Sequence, residues 1–245
     1  MNLPEPFYET GEHLGIDLPG SRAAFTTRRG GLSAGPYASL NLGLLTDDER
    51  EAVERNRALL QAGLGVPFAF GRQVHGTMVA TAGGPSQHGP ALQAADGQAT
   101  TTTRLGLMVL TADCLPIAVG APGAVAMLHA GWRGLAGGIV EVGVRAIRDL
   151  GAGGSLVAAI GPGAGACCYE VGDEVHAAFT RHREGVRRGQ NLDLKAIARS
   201  ELERAGVDQI HDVELCTICS DPNLFYSHRR DQGITGRQAG VAWLS

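Results

Sequence analysis

The stretch TADCLPIAVGAPGAVAMLHAGWRG, residues 111–134, contains the signals that decide the fold. Residues 115–119 and 124–129 are apolar runs without polar alternation, which is typical of strands buried on both faces. Between these runs, Gly120-Ala-Pro-Gly123 has the composition of a turn. We therefore predict an antiparallel hairpin in the protein core, with these four residues as its loop.

This hairpin brings a cysteine and a histidine together. A four-residue loop pairs Val119 with Ala124 and, counting outward, Cys114 with His129. Directly opposed residues of antiparallel strands have Cβ atoms about 4.5–5.5 Å apart on one face. A thiolate and an imidazole at that distance can share a metal ion or a proton, although free cysteines are also often buried for packing alone. The polar and large residues that crowd the strand ends favour the chemical interpretation.

A second histidine lies in Gln73-Val-His75-Gly, where a predicted strand meets a turn. Taken alone, such a histidine is usually a surface or capping residue. With the hairpin pair it completes a His-Cys-His set, His75, Cys114 and His129. Three protein ligands and one open position are the pattern of a catalytic zinc site, whereas a structural site normally has four protein ligands.

The rest of the chain alternates strands and helices irregularly, which predicts a mixed α/β (α+β) fold and one domain over residues 1–245. Thr46 begins a capping box, Thr-x-x-Glu, and predicts a helix that starts there. A helix is predicted over 135–150. Asp193 is predicted to cap a helix that ends near 205.

Composition excludes several classes of protein. The chain has 245 residues, 44% of them hydrophobic and 19% charged, with a net charge of −4. A basic nucleic-acid footprint, a membrane span and a standard secretion signal are all missing, so we expect neither nucleic acid nor membrane as a partner. Five cysteines are an odd number and do not suggest a disulfide framework. We expect reduced thiols and a cytoplasmic protein.

The other four cysteines form two sequence-local pairs. Cys216 and Cys219 form a C-x-x-C motif without a second such motif, so a structural zinc ribbon is not supported. Cys167 and Cys168 are adjacent in a glycine-rich loop, and we expect both to be reduced because vicinal disulfides are strained.

Motifs along nearly the whole chain resemble those of one family. The most specific are Thr111-Ala-Asp-Cys-Leu-Pro, His129-Ala-Gly-Trp-Arg-Gly, Gln73-Val-His-Gly, Cys168-Tyr-Glu-Val-Gly and Ser227-His-Arg-Arg-Asp. Their order and content are similar to the laccase-domain family, also called the multicopper polyphenol oxidoreductase or YfiH/YlmD-like family. One departure is His228, where the family more often has tyrosine or another residue.

The resemblance implies a four-layer α/β/β/α arrangement around mixed sheets and a zinc site at His75, Cys114 and His129. It also implies a purine nucleoside phosphorylase, which converts adenosine, inosine, guanosine or methylthioadenosine and phosphate to the base and ribose 1-phosphate. An adenosine deaminase side activity is implied as well.

Several residues are candidates for the remaining roles. Phosphorolysis needs phosphate near C1′ of the ribose, and arginine forks match phosphate oxygens. We predict Arg28 with Asn41, and Arg133, as phosphate or ribose contacts. For deamination a zinc-activated water is the expected nucleophile. Asp113 is the nearest candidate acid/base, although strict strand alternation would aim it away from Cys114.

Two alternatives remain open. The first is a copper-dependent phenol oxidase, because copper outcompetes zinc at such donors. Against a true multicopper enzyme, the chain has eight histidines and no His-x-His pair. The second is a metal-free Cys-His hydrolase or deamidase, with Cys114 as nucleophile and His129 as base. In each case we expect a monomer.

Overall fold

Fourteen strands and five α-helices are found in the part of the chain that the computed structural model describes, residues 3–89, 91–180 and 185–245. The strands are β1 (Tyr8–Thr10), β2 (His13–Leu18), β3 (Ser21–Phe25), β4 (Phe68–Ala69), β5 (Val79–Thr81), β6 (Gly97–Thr100), β7 (Gly106–Thr111), β8 (Leu115–Ala121), β9 (Ala124–Ala130), β10 (Val157–Ile160), β11 (Arg187–Arg188), β12 (Asn191–Leu192), β13 (Gln209–Asp212) and β14 (Gln238–Leu244). The helices are α1 (Arg50–Leu64), α2 (Trp132–Gly137), α3 (Ile139–Asp149), α4 (Asp173–Ala177) and α5 (Leu194–Arg204).

Most of these strands belong to two six-stranded sheets. Across the described residues, the first sheet has the order β1-β2-β3-β14-β7-β4 and the second β13-β10-β8-β9-β6-β5. Both are mixed, because β4 pairs parallel with β7, and β5 with β6, whereas the central strands pair antiparallel. The hairpin β8–β9 is central in the second sheet, so both of its faces are covered and its sequence is apolar throughout.

Three apolar clusters show how the layers stack. Leu60 of α1 packs on Met108 and Val241, on the outer face of the first sheet. Alternate residues of the same strands, including Leu107 and Val109, face Met127 and others of the second sheet. The outer face of the second sheet packs against helices α3 and α5. The layers therefore follow the α/β/β/α order that the family resemblance implies.

The hairpin register differs from the sequence-based prediction. Val119 pairs with Ala126 and Ala121 with Ala124, so the turn has two residues, Pro122 and Gly123, instead of four. Proline followed by a glycine at φ +88° is typical of a type II turn. Gly120 and Ala121 thus extend the strand. The prediction that Cys114 lies directly opposite His129 is wrong, because His129 pairs with Pro116.

The predicted helices are present with shifted ends. Helix α1 begins at Arg50, because the Thr46 hydroxyl is used in a turn, where it donates to the Gly43 carbonyl. The predicted helix over 135–150 is two helices, α2 and α3, separated by Gly138 at φ +91°. The cap at Asp193 is confirmed, since its side chain accepts from the Ala196 amide. No helix in the described part of the chain is long and apolar enough to span a membrane.

Candidate metal centre

Three separate segments bring His75, Cys114 and His129 together. His75 lies on the loop between β4 and β5, Cys114 on the turn between β7 and β8, and His129 near the end of β9. One ligand atom from each lies within 4.8 Å of the other two. Cys114 Sγ is 3.8 Å from His75 Nε2, and the two imidazole rings meet edge to face at 4.9 Å. The predicted trio is therefore assembled by the fold.

The register error leaves this assembly intact for a simple reason. The observed pairing is displaced by two residues from the predicted one, and side chains alternate faces with a period of two. A two-residue displacement keeps each side chain on its predicted face. Cys114 and His129 are consequently diagonal neighbours, and a one-residue displacement would have separated them.

A buried carboxylate, Asp96, holds the centre in place. Its Oδ1 accepts from the His75 amide at 2.9 Å and lies 2.8 Å from His129 Nδ1. Its Oδ2 accepts from the amides of Val74 and Gly76. Asp96 thus fixes the ring of His129 and the loop that carries His75. A carboxylate behind a ligating histidine is the usual support of a protein zinc site.

Backbone geometry and a missing side chain also shape the centre. His75 and Asp113 have φ of 58° and 86°, a left-handed conformation that is uncommon outside glycine. A Cβ at Gly131 would lie 2.9 Å from Cys114 Sγ and 3.1 Å from His75 Cδ2. Glycine is therefore required at 131 for the trio to meet.

The titration of the trio follows from its proximity. Burial raises the pKa of the Cys114 thiol, but His129 and His75 outweigh this and lower that pKa to about 6. Burial lowers the pKa of His129, and Cys114 with Asp96 outweighs it, so that this pKa rises to about 9. The carboxyl pKa of Asp96 is raised by burial and, on balance, lowered by the hydrogen bonds from His129 and the amides. Without a metal, the geometry therefore favours a thiolate beside an imidazolium.

The donor set fits a zinc ion. Two imidazoles and one thiolate are the ligand types that Zn²⁺ binds in proteins, and three of them leave a coordination position open. Cu²⁺ and Cu⁺ also bind these donors, so the donor types alone do not distinguish zinc from copper.

Arg133 and two further residues lie near the centre. The Arg133 guanidinium stacks on Trp132, 4.3 Å from its ring. Arg229 lies 5.4 Å from the ring of Tyr169 and donates to the Glu170 carbonyl. Burial and the charge of Cys114 raise the pKa of Tyr169 to about 12, opposed by Arg229 and Arg133. Tyr169 is therefore a neutral hydrogen-bond donor beside two cations.

The side chains of Arg28 and Asn41 form hydrogen bonds with the surrounding loops. The Arg28 guanidinium donates to the carbonyls of Ala38, Pro222 and Pro36. Asn41 is fully buried, with its amide nitrogen and oxygen both hydrogen-bonded within the fold. The structure therefore does not bring these two side chains into the centre with an open polar group, and their assignment to substrate remains a prediction.

Asp113 is next to Cys114 in sequence, but its carboxylate is engaged elsewhere. Its Oδ1 accepts from the Thr217 hydroxyl at 2.6 Å, and its Oδ2 accepts from the Arg229 amide at 2.7 Å. This geometry supports a role in positioning Cys114 and Arg229. The prediction that Asp113 exchanges protons with substrate stays a prediction.

Sequence reasoning missed Asp96 and Tyr169, and it did not single out Arg229 from the other arginines that could bind an anion. Asp96 is 33 residues from His129, and nothing in Ala94-Ala-Asp-Gly distinguishes it from a turn aspartate. Tyr169 and Arg229 lie within motifs that the family resemblance had already marked, Cys168-Tyr-Glu-Val-Gly and Ser227-His-Arg-Arg-Asp. That signal was present, but it does not assign a role to a particular side chain.

Comparison with known proteins gives consistent matches. Residues 22–245 match a family model described as multi-copper polyphenol oxidoreductase laccase. A protein of Deinococcus radiodurans named purine nucleoside phosphorylase is 42% identical over 90% of this chain and 88% of its own. The Geobacillus stearothermophilus protein named purine nucleoside phosphorylase YlmD is 39% identical over 89% of this chain and 88% of its own.

Solved structures agree with the fold. The crystal structure of YlmD from Geobacillus stearothermophilus has a TM-score of 0.88 and 36% identity, with 98% of this chain and 99% of that chain covered. The crystal structure of the Bacillus licheniformis protein YfiH also has a TM-score of 0.88, at 33% identity, with coverage of 99% and 100%.

Proposed function

The chain belongs to the multi-copper polyphenol oxidoreductase laccase family, and we propose that within it this protein acts as a zinc-dependent purine nucleoside phosphorylase. Its substrates would be phosphate and adenosine, inosine, guanosine or methylthioadenosine. The observation that carries the proposal is the His75, Cys114 and His129 trio, with ligand atoms within 4.8 Å, in a chain 42% identical to a protein named purine nucleoside phosphorylase.

His75, Cys114 and His129 would hold the zinc ion. When bound, zinc supplies a Lewis acid that polarises an oxygen or lowers the pKa of water. The chain's own contribution is positional. Asp96 orients His129 and the loop of His75, and Gly131 provides the space that the ligands share. These features support a catalytic site, because only three protein ligands would bind the zinc ion, which leaves one coordination position open, and because Asp96 holds two of them in place.

Phosphorolysis requires an anion to approach C1′ while the bond from C1′ to the purine nitrogen breaks. Arg133 is the residue proposed to contact the phosphate, since it is exposed and its guanidinium lies 4.3 Å from the centre of the Trp132 ring. Arg229 adds a second cation near the centre, and Tyr169 beside it adds a neutral hydrogen-bond donor. Arg28 and Asn41 remain candidates that would need a movement of their loops, since their polar atoms are used within the fold.

We extend the proposal to an adenosine deaminase side activity. It is supported by the same donor set, since zinc deaminases use histidine and cysteine ligands to activate water for attack on the adenine ring. Asp113 is the proposed acid/base for this reaction. Its engagement with Thr217 and the Arg229 amide means that it would act only after exchange of one of these hydrogen bonds.

The test is a phosphate-dependence assay on protein of known metal content. With inosine as substrate, release of hypoxanthine should require both zinc and phosphate and should yield ribose 1-phosphate. Cys114→Ala should lose zinc from the centre and activity together, whereas the exposed Asp47→Asn should change neither. Full phosphorolysis by a Cys114→Ala protein that lacks this zinc would contradict the proposal.

The copper-dependent phenol oxidase is tested in the same preparation. Metal analysis of protein purified without added metal should find zinc, and zinc protein should not oxidise phenols. Tightly bound copper with phenol turnover would replace the proposed function by the oxidase.

A metal-free Cys-His hydrolase or deamidase is the second candidate, and a specific observation favours it. Cys114, His129 and Asp96 form a chain of the nucleophile–base–carboxylate type, with His129 Nδ1 2.8 Å from Asp96. In that case product formation from an amide or ester substrate would survive chelation, and release of base from nucleosides would not depend on phosphate.

We also propose one domain over residues 1–245, a monomer and a cytoplasmic location. The inter-sheet cluster runs from Phe7 to Leu244, which supports one domain. All five cysteines are free, which is typical of proteins in a reducing compartment. Size-exclusion chromatography with light scattering measures the oligomeric state.

A further inference from the structure

The fold brings together the two cysteine pairs that sequence reasoning had kept apart. Cys167 and Cys168 lie on the loop after β10, and Cys216 and Cys219 on the loop after β13. The four Sγ atoms all lie within 4.8 Å of one another. Cys216 and Cys219 lack a second C-x-x-C motif in the sequence. In the fold, the adjacent pair Cys167-Cys168, more than forty residues earlier in the chain, takes the place of that motif.

The spacing of these sulfur atoms matches a metal site with four thiolates. Zn–S bonds of about 2.3 Å in a tetrahedron place sulfur atoms roughly 3.8 Å apart. Cys167 Sγ lies 3.5 Å from both Cys219 Sγ and Cys168 Sγ. A disulfide needs a sulfur–sulfur distance of about 2.05 Å, and all four cysteines are free. The cluster is thus too open for disulfides and has the dimensions of a tetrahedral site.

Backbone amides are aimed at the most buried of these sulfur atoms. The Gly165 amide donates to Cys216 Sγ at 3.2 Å. The amides of Ile218 and Cys219 also point to Cys216 Sγ, so the C-x-x-C turn wraps around its own first cysteine. N–H groups that converge on one sulfur stabilise a thiolate and orient it, which is the support that ligating atoms receive in metal sites.

We propose that Cys167, Cys168, Cys216 and Cys219 bind one zinc ion as a closed structural site, separate from the centre at His75, Cys114 and His129. Four protein ligands leave no open position, which is the pattern of a structural site. Four crowded thiolates would repel one another, and a divalent cation of the thiolate-binding type offsets that charge.

Such a site would hold in place two loops that border the first centre. Thr217, between the two cysteines of the C-x-x-C turn, donates to the carboxylate of Asp113 at 2.6 Å, next to Cys114. Tyr169 directly follows Cys168 and faces the same centre. The four-cysteine site would therefore join the loops that carry Tyr169 and Thr217 at the point where they border the first centre.

The experiment counts zinc and iron in purified variants after growth with zinc and removal of loosely bound metal. The wild type should contain two zinc ions per chain. Cys114→Ala should contain one, at the four-cysteine site, and the double variant Cys114→Ala/Cys219→Ser should contain none. In Cys114→Ala, Co²⁺ in place of zinc should give the intense absorption of a tetrahedral site with four thiolates, and this absorption should be missing in the double variant.

A folded Cys114→Ala protein without metal would overturn the proposal, as would iron at the site in place of zinc. Because a cysteine variant can fail to fold, the wild type provides a second measurement. Thiol titration of the native wild type, without reductant, should find its five cysteines protected and should find all five reactive after chelation. Four reactive thiols before chelation, or disulfides in the cluster, would also overturn it. The wild-type values of two zinc ions and five protected thiols include the proposed first centre, whereas the zinc count of Cys114→Ala tests the four-cysteine site alone. Failure of this proposal and failure of the proposed function are therefore distinguishable.

Discussion

Asp96 shows how much of the candidate centre rests on a residue that is not a ligand. Its carboxylate is fully buried and hydrogen-bonded to the ring of His129 and to three consecutive amides of the His75 loop. The reactive residue types of the trio can be found from sequence, because cysteine and histidine are few and their motifs are specific. Asp96 cannot, because its role comes from a contact between distant parts of the chain.

Asp96→Asn tests this support. The asparagine side chain has the shape of the aspartate side chain, but its NH₂ group replaces one carboxylate oxygen. That NH₂ group would face a hydrogen-bond donor, so at least one hydrogen bond of Asp96 would be lost. We expect zinc affinity at the first centre to fall about 10- to 100-fold, which is the usual loss when a residue that is hydrogen-bonded to a metal ligand is replaced. Competition with a chromogenic chelator measures it, in a Cys219→Ser background that removes the second proposed site.

Asp47→Asn is the matched control, because Asp47 is exposed. It should leave zinc affinity unchanged. Equal affinity in Asp96→Asn and Asp47→Asn would show that the buried carboxylate does not support the ligands.

At the scale of elements, the hairpin β8–β9 shows which part of a prediction survives an error. The strands and their burial follow from two apolar runs. The turn does not, because Gly120-Ala-Pro-Gly123 accommodates a loop of either two or four residues. The two alternatives differ by an even number of residues, so the face of Cys114 and of His129 is the same in both.

Gly131, between β9 and α2, is a junction of two elements where one added methyl group would disturb the first centre. In Gly131→Ala, the new methyl group would lie 2.9 Å from Cys114 Sγ. Overpacking of this kind costs about 1–3 kcal/mol. The strain falls on Cys114 and His75, and displacement of these side chains to relieve it should weaken zinc affinity at the first centre by up to about 5- to 150-fold. Gly63→Ala is the control, since a Cβ there meets nothing within 4 Å and Ala favours helix α1. An unchanged affinity in Gly131→Ala would contradict the steric argument.

Helix α5 provides a test of the sequence-based capping rule. The Asp193 side chain accepts from the Ala196 amide at 3.0 Å, as the sequence predicts. Asp193→Ala should destabilise the protein by about 0.5–2 kcal/mol, measured by urea denaturation. Asp193→Asn retains a cap acceptor and should recover most of this loss. Equal destabilisation by both substitutions would show that another contact of Asp193, such as Arg188 at 3.1 Å, matters more than the cap.

At the scale of the whole molecule, the layer between the two sheets holds the fold together. The continuous apolar runs of the hairpin predict that both of its faces are buried, but the pairing of sheet with sheet comes only from the family resemblance. The reason is physical: residues from Phe7 to Leu244 meet in this layer, and contacts over such separations leave no local pattern.

Phe25→Ala measures the strength of this layer. Phe25 is fully buried in the inter-sheet cluster, and its ring lies against Gly161. Removal of a buried phenylalanine side chain costs about 3–5 kcal/mol. Leu45→Ala is the control, because Leu45 is 93% exposed and should change stability by no more than about 0.5 kcal/mol. Urea denaturation of both variants checks the difference, and a loss below about 1 kcal/mol for Phe25→Ala would mean that the layer relaxes around the cavity.

Metal binding should stabilise the molecule as a whole, because both candidate sites join segments that are distant in sequence and neither exists in the unfolded chain. A ligand that binds only the folded state adds about 2.7 kcal/mol when its free concentration is 100 times its Kd. For a chain of this size each kcal/mol changes the Tm by about 2–4 °C, so chelation should lower the wild-type Tm by about 5–10 °C for each occupied site. In Cys114→Ala, chelation should lower the Tm only by the contribution of the four-cysteine site. In Cys114→Ala/Cys219→Ser, chelation should leave the Tm unchanged. Calorimetry of the three proteins, with and without chelator, measures these differences. An identical decrease in all three would mean that the chelator acts on the protein by another route, and no decrease in the wild type would mean that neither group of residues binds metal in the folded state.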